Sequence, residues 1–174
     1  SPPPTYASSG AGGAQHLSME VFKKMAGFEA VHIPYSGSAP GLLDLMGGRV
    51  DSIFANLPGA FPHIRAGRVK PLAIAQKSRN QVIPDVQTFA EAGWPFEAPG
   101  YAGAVFPAGV PAAIVKRMNA EMVRALNLPD VQDRILNAGC EARTSTPEAF
   151  GKFLREDIAR WAPVLKSVGV TPRT

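Results

Sequence analysis

The chain has 174 residues, 45% of them hydrophobic, with a formal net charge of +4 and a single cysteine. That length can bury a real core, as one domain or as two small lobes, and Cys140 has no internal disulfide partner, which leaves the redox compartment open. No basic run exceeds Lys23-Lys24 and no apolar run approaches the ~18 residues that cross a bilayer, so nucleic-acid, membrane-surface and membrane-spanning roles are excluded as primary readings.

Glycine and proline, 17 of each, are scattered at element boundaries, where they punctuate structure. After a proline-rich stub, Thr5 to Ser8 reads as a short strand, followed by the glycine loop Ser9 to His16 and a helix that buries Leu17, Val21, Phe22 and Met25 and ends at Gly27. Val31 and Ile33 begin a second strand that Pro34 ends. Ser36-Gly37-Ser38 then leads into a helix with Pro40 in its first turn, where a missing N–H costs nothing, and with Ser38 as its expected cap. Leu42, Leu45 and Met46 form its buried stripe, and Gly47-Gly48 stops it. Val50 to Ala55 predicts a third strand, with Asn56 capping a helix that carries Pro58 and closes at Gly67. Val69 to Ala75 predicts a fourth strand, and this βαβ rhythm argues for parallel pairing.

Beyond the polar, irregular stretch from Lys77 to Val86, Thr88 to Glu91 reads as a capping box opening a short helix that Gly93 ends, and Tyr101 to Phe106 as one more strand. Pro107 to Pro111 is the candidate crossover or hinge. The pattern then turns helical. Ile114, Val115, Met118, Met122 and Leu126 mark one helix and Val131, Ile135 and Leu136 another. Phe150, Phe153, Leu154, Ile158, Trp161 and Leu165 mark a third, capped by Thr146 with Pro147 first and kinked or shortened by Pro163. With only Cys140 to Arg143 as a candidate strand, this tail has apolar faces to bury and too little sheet of its own.

Several chemistries lack their residues. Gly10-Ala11-Gly12-Gly13 falls short of the dinucleotide fingerprint, because Gln15 stands where the third glycine belongs and Tyr35-Ser36 where an acidic residue would end the next strand. No Gly-Lys-Ser/Thr follows either glycine loop, and Ser8, Ser9, Ser36 and Ser38 all lack the G-x-S-x-G frame. His32 and His63 read as satisfied or solvent-facing, whereas His16, in the first helical turn after a glycine loop, is open to ligand contact or to packing. Metal-ligand spacings are absent, so no catalytic residue, metal site or cofactor is expected. What the three strand-to-helix turns do offer is unpaired N–H groups at the carboxyl ends of strands, a setting for a carboxylate or similar anion.

Three blocks in fixed order carry a resemblance: YASSGAGGAQHLSMEVFKKMAG, HIPYSGSAPGLLDLMGGRVDSIFANLPGAFPHIRAGRVKPLAIA and IPDVQTFAEAG. Together they are similar to the Bug or TctC-type periplasmic solute-binding proteins of tripartite tricarboxylate transporters, from about Tyr6 to Val170. The resemblance implies an α/β, two-lobed flytrap that holds a small carboxylate (di- or tricarboxylate, acidic amino acid or aromatic acid) and works with integral membrane subunits. On this basis residues 5–106 are expected to form the second lobe, 107–111 the crossover, and 112–174 the carboxy-terminal helical part of the first lobe. Ligand-binding positions implied by the resemblance are Ser9, Gly12, Gly13, Ala14, Gln15 and His16 in the first loop, Tyr35, Ser36, Gly37, Ser38 and Ala39 in the second, and Asn56 in the third. Ala11 and Ala55 depart from the family pattern, which often has asparagine and aspartate there. The resemblance further implies a fragment whose exposed helix faces are covered by swapping, dimerisation or folding back. A Rossmann-like enzyme domain and an extracytoplasmic sensor or interaction module are the alternatives.

Overall fold

The strand Tyr6-Ala7-Ser8 explains why the sheet is organised as it is, because all three side chains are fully buried and the strand is paired on both sides. In the computed structural model, which describes residues 2–98 and 100–167, the elements run β1 (Thr5–Ser8), α1 (Ala14–Ala26), β2 (Val31–Pro34), α2 (Ser38–Met46), β3 (Ser52–Ile53), α3 (Leu57–Arg65), α4 (Ala112–Leu126), α5 (Pro129–Asn137) and α6 (Pro147–Ser167). The sheet order is β2-β1-β3, all parallel, with Thr5 opposite Val31, Ser8 opposite Pro34, and Ala7 opposite Ile53. Parallel strands need crossovers, and the helices α1 and α2 supply them. Since α2 carries the chain from β2 past β1 to β3, the strand order reverses at β1, where open α/β sheets place their ligands.

Two compact units result, one drawn from Ser1–Pro99 with Val164–Thr174 and one from Gly100–Pro163. In the first, Tyr6, Met19 and Ala30 form a core against which Phe22, Phe28 and Phe54 pack. Phe22 meets Phe89 edge-on with centroids 4.9 Å apart, and Phe89 meets Phe96 at 5.2 Å. Full burial of such a ring contributes about 1.5–3 kcal/mol, and the edge-on contacts add to it. Gly41 lets α2 approach the sheet, since a Cβ there would sit 3.1 Å from the Ala7 methyl and 3.3 Å from Ile53 Cδ1. In the second unit Tyr101 packs edge-on against Phe153, centroids 4.8 Å apart, and the Phe150 ring lies over Gly103 so closely that any side chain there would collide with it.

Several expected elements differ. Val69 to Ala75 forms no strand. Only Ile74 pairs, in a parallel bridge with Thr88, because Pro71 has no N–H to give a ladder. The third strand is just Ser52–Ile53, set by its pairing to Tyr6 and Ala7, and the burial of Val50 belongs to the turn before it. The capping box forms with both reciprocal bonds: Thr88 N–H donates to Glu91 Oε2 at 2.7 Å, and Glu91 N–H to Thr88 Oγ1 at 3.1 Å. It opens a turn and no helix, since Gly93 at φ 89° and Pro95 two residues on end the coil at once. Tyr101 to Phe106 and Cys140 to Arg143 are irregular, with no strand beside either among the described residues. Met25 is exposed, and the methionine of α1 that enters the core is Met19. Pro163 lies inside α6, which runs on to Ser167. The three helices of the tail and the Thr146 cap, whose Oγ1 accepts from Ala149 N–H at 3.1 Å, are as expected. Residues 168–174 of the expected first-lobe part lie outside the described residues.

Candidate ligand site at the carboxyl edge of the sheet

Because the three strands are parallel, the loops after Ser8, Pro34 and Ile53 leave the same edge of the sheet and lead into α1, α2 and α3. The first loop is held by its own side chains. Ser8 Oγ donates to Gly10 carbonyl at 3.0 Å and accepts from Gly10 N–H at 3.2 Å, while Gly10 and Gly12 take φ of 136° and 78°, values open to glycine. Ser9 N–H donates to Gln15 Oε1 at 2.9 Å, and Gly12 N–H to His16 Nδ1 at 3.0 Å. Gly13 is the N-cap of α1, so the amides of Ala14, Gln15 and His16 have no acceptor within the helix.

The second loop is tied to the first. Tyr35 N–H donates to Ser8 carbonyl at 3.0 Å, and buried Gln15 donates through Nε2 to Ser38 Oγ at 2.7 Å. Tyr35 turns its hydroxyl to Asp44 Oδ2, 2.7 Å away, and Arg49 clasps the same carboxylate at 2.6 and 2.8 Å. These bonds hold Asp44 below the ordinary carboxylate range, the Arg49 bond most of all. Ser36 and Ala39 are exposed. The expected Ser38 cap is corrected: Gly37 is the N-cap, at φ 155° and ψ 172°, and Ser38 is already the first helical residue, with its oxygen occupied by Gln15. Asn56 also makes no side-chain cap, although its carbonyl accepts from Gly59 and Ala60 N–H. Exposed at the start of α3, Asn56 has no side-chain bond to the other two loops among the described residues, so the structure joins the first and second sets and leaves the third apart.

A cluster that the sequence reading missed lies beneath the first loop. Tyr6 and His32 are register partners, so their rings stack at 4.9 Å, and His16 from α1 stacks on His32 at 4.0 Å with planes 10° apart. Tyr6 hydroxyl donates to Glu20 Oε1 at 2.5 Å, and Lys23 Nζ binds the same oxygen at 2.9 Å. Burial, reinforced by the Glu20 bond, raises the Tyr6 phenol far above its ordinary value. For Glu20 burial alone would raise the pKa, but the bonds from Tyr6 and Lys23 outweigh it and hold the carboxyl below its usual value. Burial also lowers both His16 and His32. Sequence alternation could have placed Tyr6, Ser8 and His32 on one face once the β1–β2 register was known; nothing local does so.

Ser8 Oγ and His32 Nε2 are 2.7 Å apart, which resembles a nucleophile with its base. The hydroxyl is fully buried and gives its proton to Gly10 carbonyl, so His32 Nε2 is the donor to it and the pair is a support for the loop. Among the described residues no group of three or more His, Cys, Asp or Glu could hold a metal, and no helix is long and apolar enough to cross a membrane. No Lys or Arg lies in the three loops. The edge can therefore offer amide and hydroxyl donors, which suit an acceptor-rich group.

Over residues 3–170 the chain matches the family described as Tripartite tricarboxylate transporter family receptor. Protein BugT of Bordetella pertussis is 33% identical over 165 residues, covering 94% of this chain and 51% of that protein. An R. palustris protein solved with adipate is 34% identical with TM-score 0.84, covering 98% of this chain and 57% of the other. MatC from Rhodopseudomonas palustris, with bound malate, is 32% identical with TM-score 0.83, at 93% and 56% coverage. The chain spans about half the length of the curated relatives it matches.

Proposed function

The chain belongs to the tripartite tricarboxylate transporter receptor family, a family of solute-binding receptors and not of enzymes, and from that premise we propose that it binds a small carboxylate at the carboxyl edge of its sheet. The observation that carries the reading is the convergence of two helix starts, α1 and α2, on one sheet edge, with first-turn amides unpaired inside their helices and no cationic side chain in the loops. Helix N-termini attract an anion by about 0.3–1 kcal/mol each through the dipole, and direct N–H bonds add to it.

Within the proposed site the amides of Ala14, His16, Ser38 and Ala39 and the hydroxyls of Ser36 and Ser38 are the donors. Gly12, Gly13 and Gly37 shape the loops, and Ser9, Gln15 and Tyr35 hold them in place. Asn56, exposed at the start of α3, is the third loop's candidate contact. Adipate and malate in the two structural neighbours support a dicarboxylate as ligand. On the same reading the protein acts in the periplasm and delivers its ligand to the membrane subunits of a tripartite transporter. Residues 5–106 are one lobe, 107–111 the crossover, and 112–174 part of the other.

An amide-resolved NMR titration of the 174-residue chain with adipate and with malate tests this and detects even weak binding. Shifts confined to residues 9–16, 36–39 and 56 are expected. Shifts absent at saturating dicarboxylate, or centred on α4 to α6, refute it.

A further inference from the structure

We propose that Gln15 is a positioning residue that makes the Ser38 hydroxyl an obligate hydrogen-bond donor to the bound carboxylate. The proposal rests on the carboxylate-binding reading given above. Gln15 is only 5% exposed, and both ends of its carboxamide are engaged. One end meets Ser9 N–H at 2.9 Å, which can only donate, so that end is the oxygen, Oε1. The other end is then the NH2 group, which can only donate, and it lies 2.7 Å from Ser38 Oγ. Ser38 Oγ is thereby an acceptor in this contact, and its own proton is directed elsewhere. No acceptor among the described residues takes it. Ser38 is the first residue of α2, so that proton sits beside the unpaired amides of the helix start.

The chain of constraint runs from a backbone N–H to a side-chain hydroxyl 29 residues away. Its consequence is selectivity, because a carboxylate or carbonyl oxygen fits a donor at Ser38, whereas an ammonium there would face a hydroxyl and amides that offer it protons. It also separates Gln15 from the residues that touch ligand, since its polar atoms are consumed inside the protein.

The discriminating variant is Gln15→Glu, which keeps the shape and the Ser9 bond but presents an acceptor to Ser38. The hydroxyl must then donate to the introduced carboxylate, and the site loses its donor while gaining a negative charge. In the 174-residue chain, adipate binding followed by amide shifts is expected to weaken by about tenfold or more at neutral pH. As pH falls and the introduced carboxyl takes up a proton it regains a donor, so the ratio of variant to wild-type affinity should climb back towards one. A merely structural role would not produce that recovery. Equal adipate affinity in the variant and wild type, or a ratio that stays flat with pH, overturns the proposal.

A ligand-free measurement keeps it testable should wild type fail to bind adipate, the outcome that sinks the carboxylate reading. Side-chain amide protons of Gln15 should exchange with solvent at least about tenfold more slowly than those of exposed Gln81, and Ser38→Ala should narrow the difference. Exchange as fast as at Gln81 in the wild type overturns the proposal on its own.

Discussion

Acidification should loosen the strand β1 and the helix α1 through the imidazole stack beneath the first loop. His16 and His32 lie 4.0 Å apart, centroid to centroid. Burial is the main cause that lowers both, with Lys23 adding to it for His16, and the His16 charge and Lys23 for His32. Glu20 opposes this in each case. Tyr6 and Ser8 complete the surroundings from β1. A histidine with a lower pKa folded than unfolded binds fewer protons in the native state. Its stability contribution is whole above the unfolded value of about 6.5 and is lost as pH falls from there through the folded value.

Each ring can contribute a slope of at most about 1.4 kcal/mol per pH unit in that window, so the pair is bounded by about 2.8. Protonation of His16 at Nδ1 would also turn the acceptor of the Gly12 N–H into a donor, so the loop amide should respond in step. Urea unfolding followed by the NMR signals of β1 and α1 at about pH 7.5, 6.5 and 5.5 measures the slope. Unfolding free energy should fall towards acid, and the Gly12 amide should shift with the same midpoint as the His16 ring. His32→Asn should flatten the curve by removing one of the two rings. A wild-type stability that is constant from about pH 7.5 to 5.5, or rings that titrate at or above the unfolded value, would refute the reasoning.

Three further outcomes follow from the geometry. Gly37→Ala places no Cβ against any atom within 4 Å, yet its φ of 155° is rarely adopted by other residues. The variant should therefore lose about 1–3 kcal/mol in urea unfolding while keeping its aromatic core signals. Tyr6→Phe removes the buried donor to Glu20 and should cost about 1.5–3 kcal/mol. It should also raise the Glu20 pKa, since Glu20 is depressed in part by that bond; the stability it contributes is present above the unfolded carboxylate value and lost as pH falls through the folded one, so an NMR titration should find Glu20 protonating earlier in the variant. Because the three loops hold no Lys or Arg, dicarboxylate binding should weaken only modestly between low and physiological salt; a steep fall would point to a phosphate-bearing ligand.

What the chain determined by itself is the set of features whose signals act within about one helical turn. Glycines at 27, 47–48 and 67 end the first three helices, Thr146 and Pro147 start α6, and the apolar spacing of α4, α5 and α6 needs no distant partner to be read. The three strand-to-helix turns are legible from the same short-range signals. Tertiary structure decided whatever depends on a partner far along the chain. Val69 to Ala75 has the composition of a strand and finds only Thr88 to pair with, while Thr88 to Glu91 makes its capping bonds and still cannot continue a helix past Gly93. Ser38 looks like a cap until Gln15, 23 residues earlier, takes its oxygen, and His32 looks like a solitary strand residue until the parallel register sets it against Tyr6 and Ser8. A hydrogen bond has a donor, an acceptor and a distance, and only the folded sheet brings such pairs to within 3 Å, so the roles of these polar side chains could be assigned only after the strands were in register.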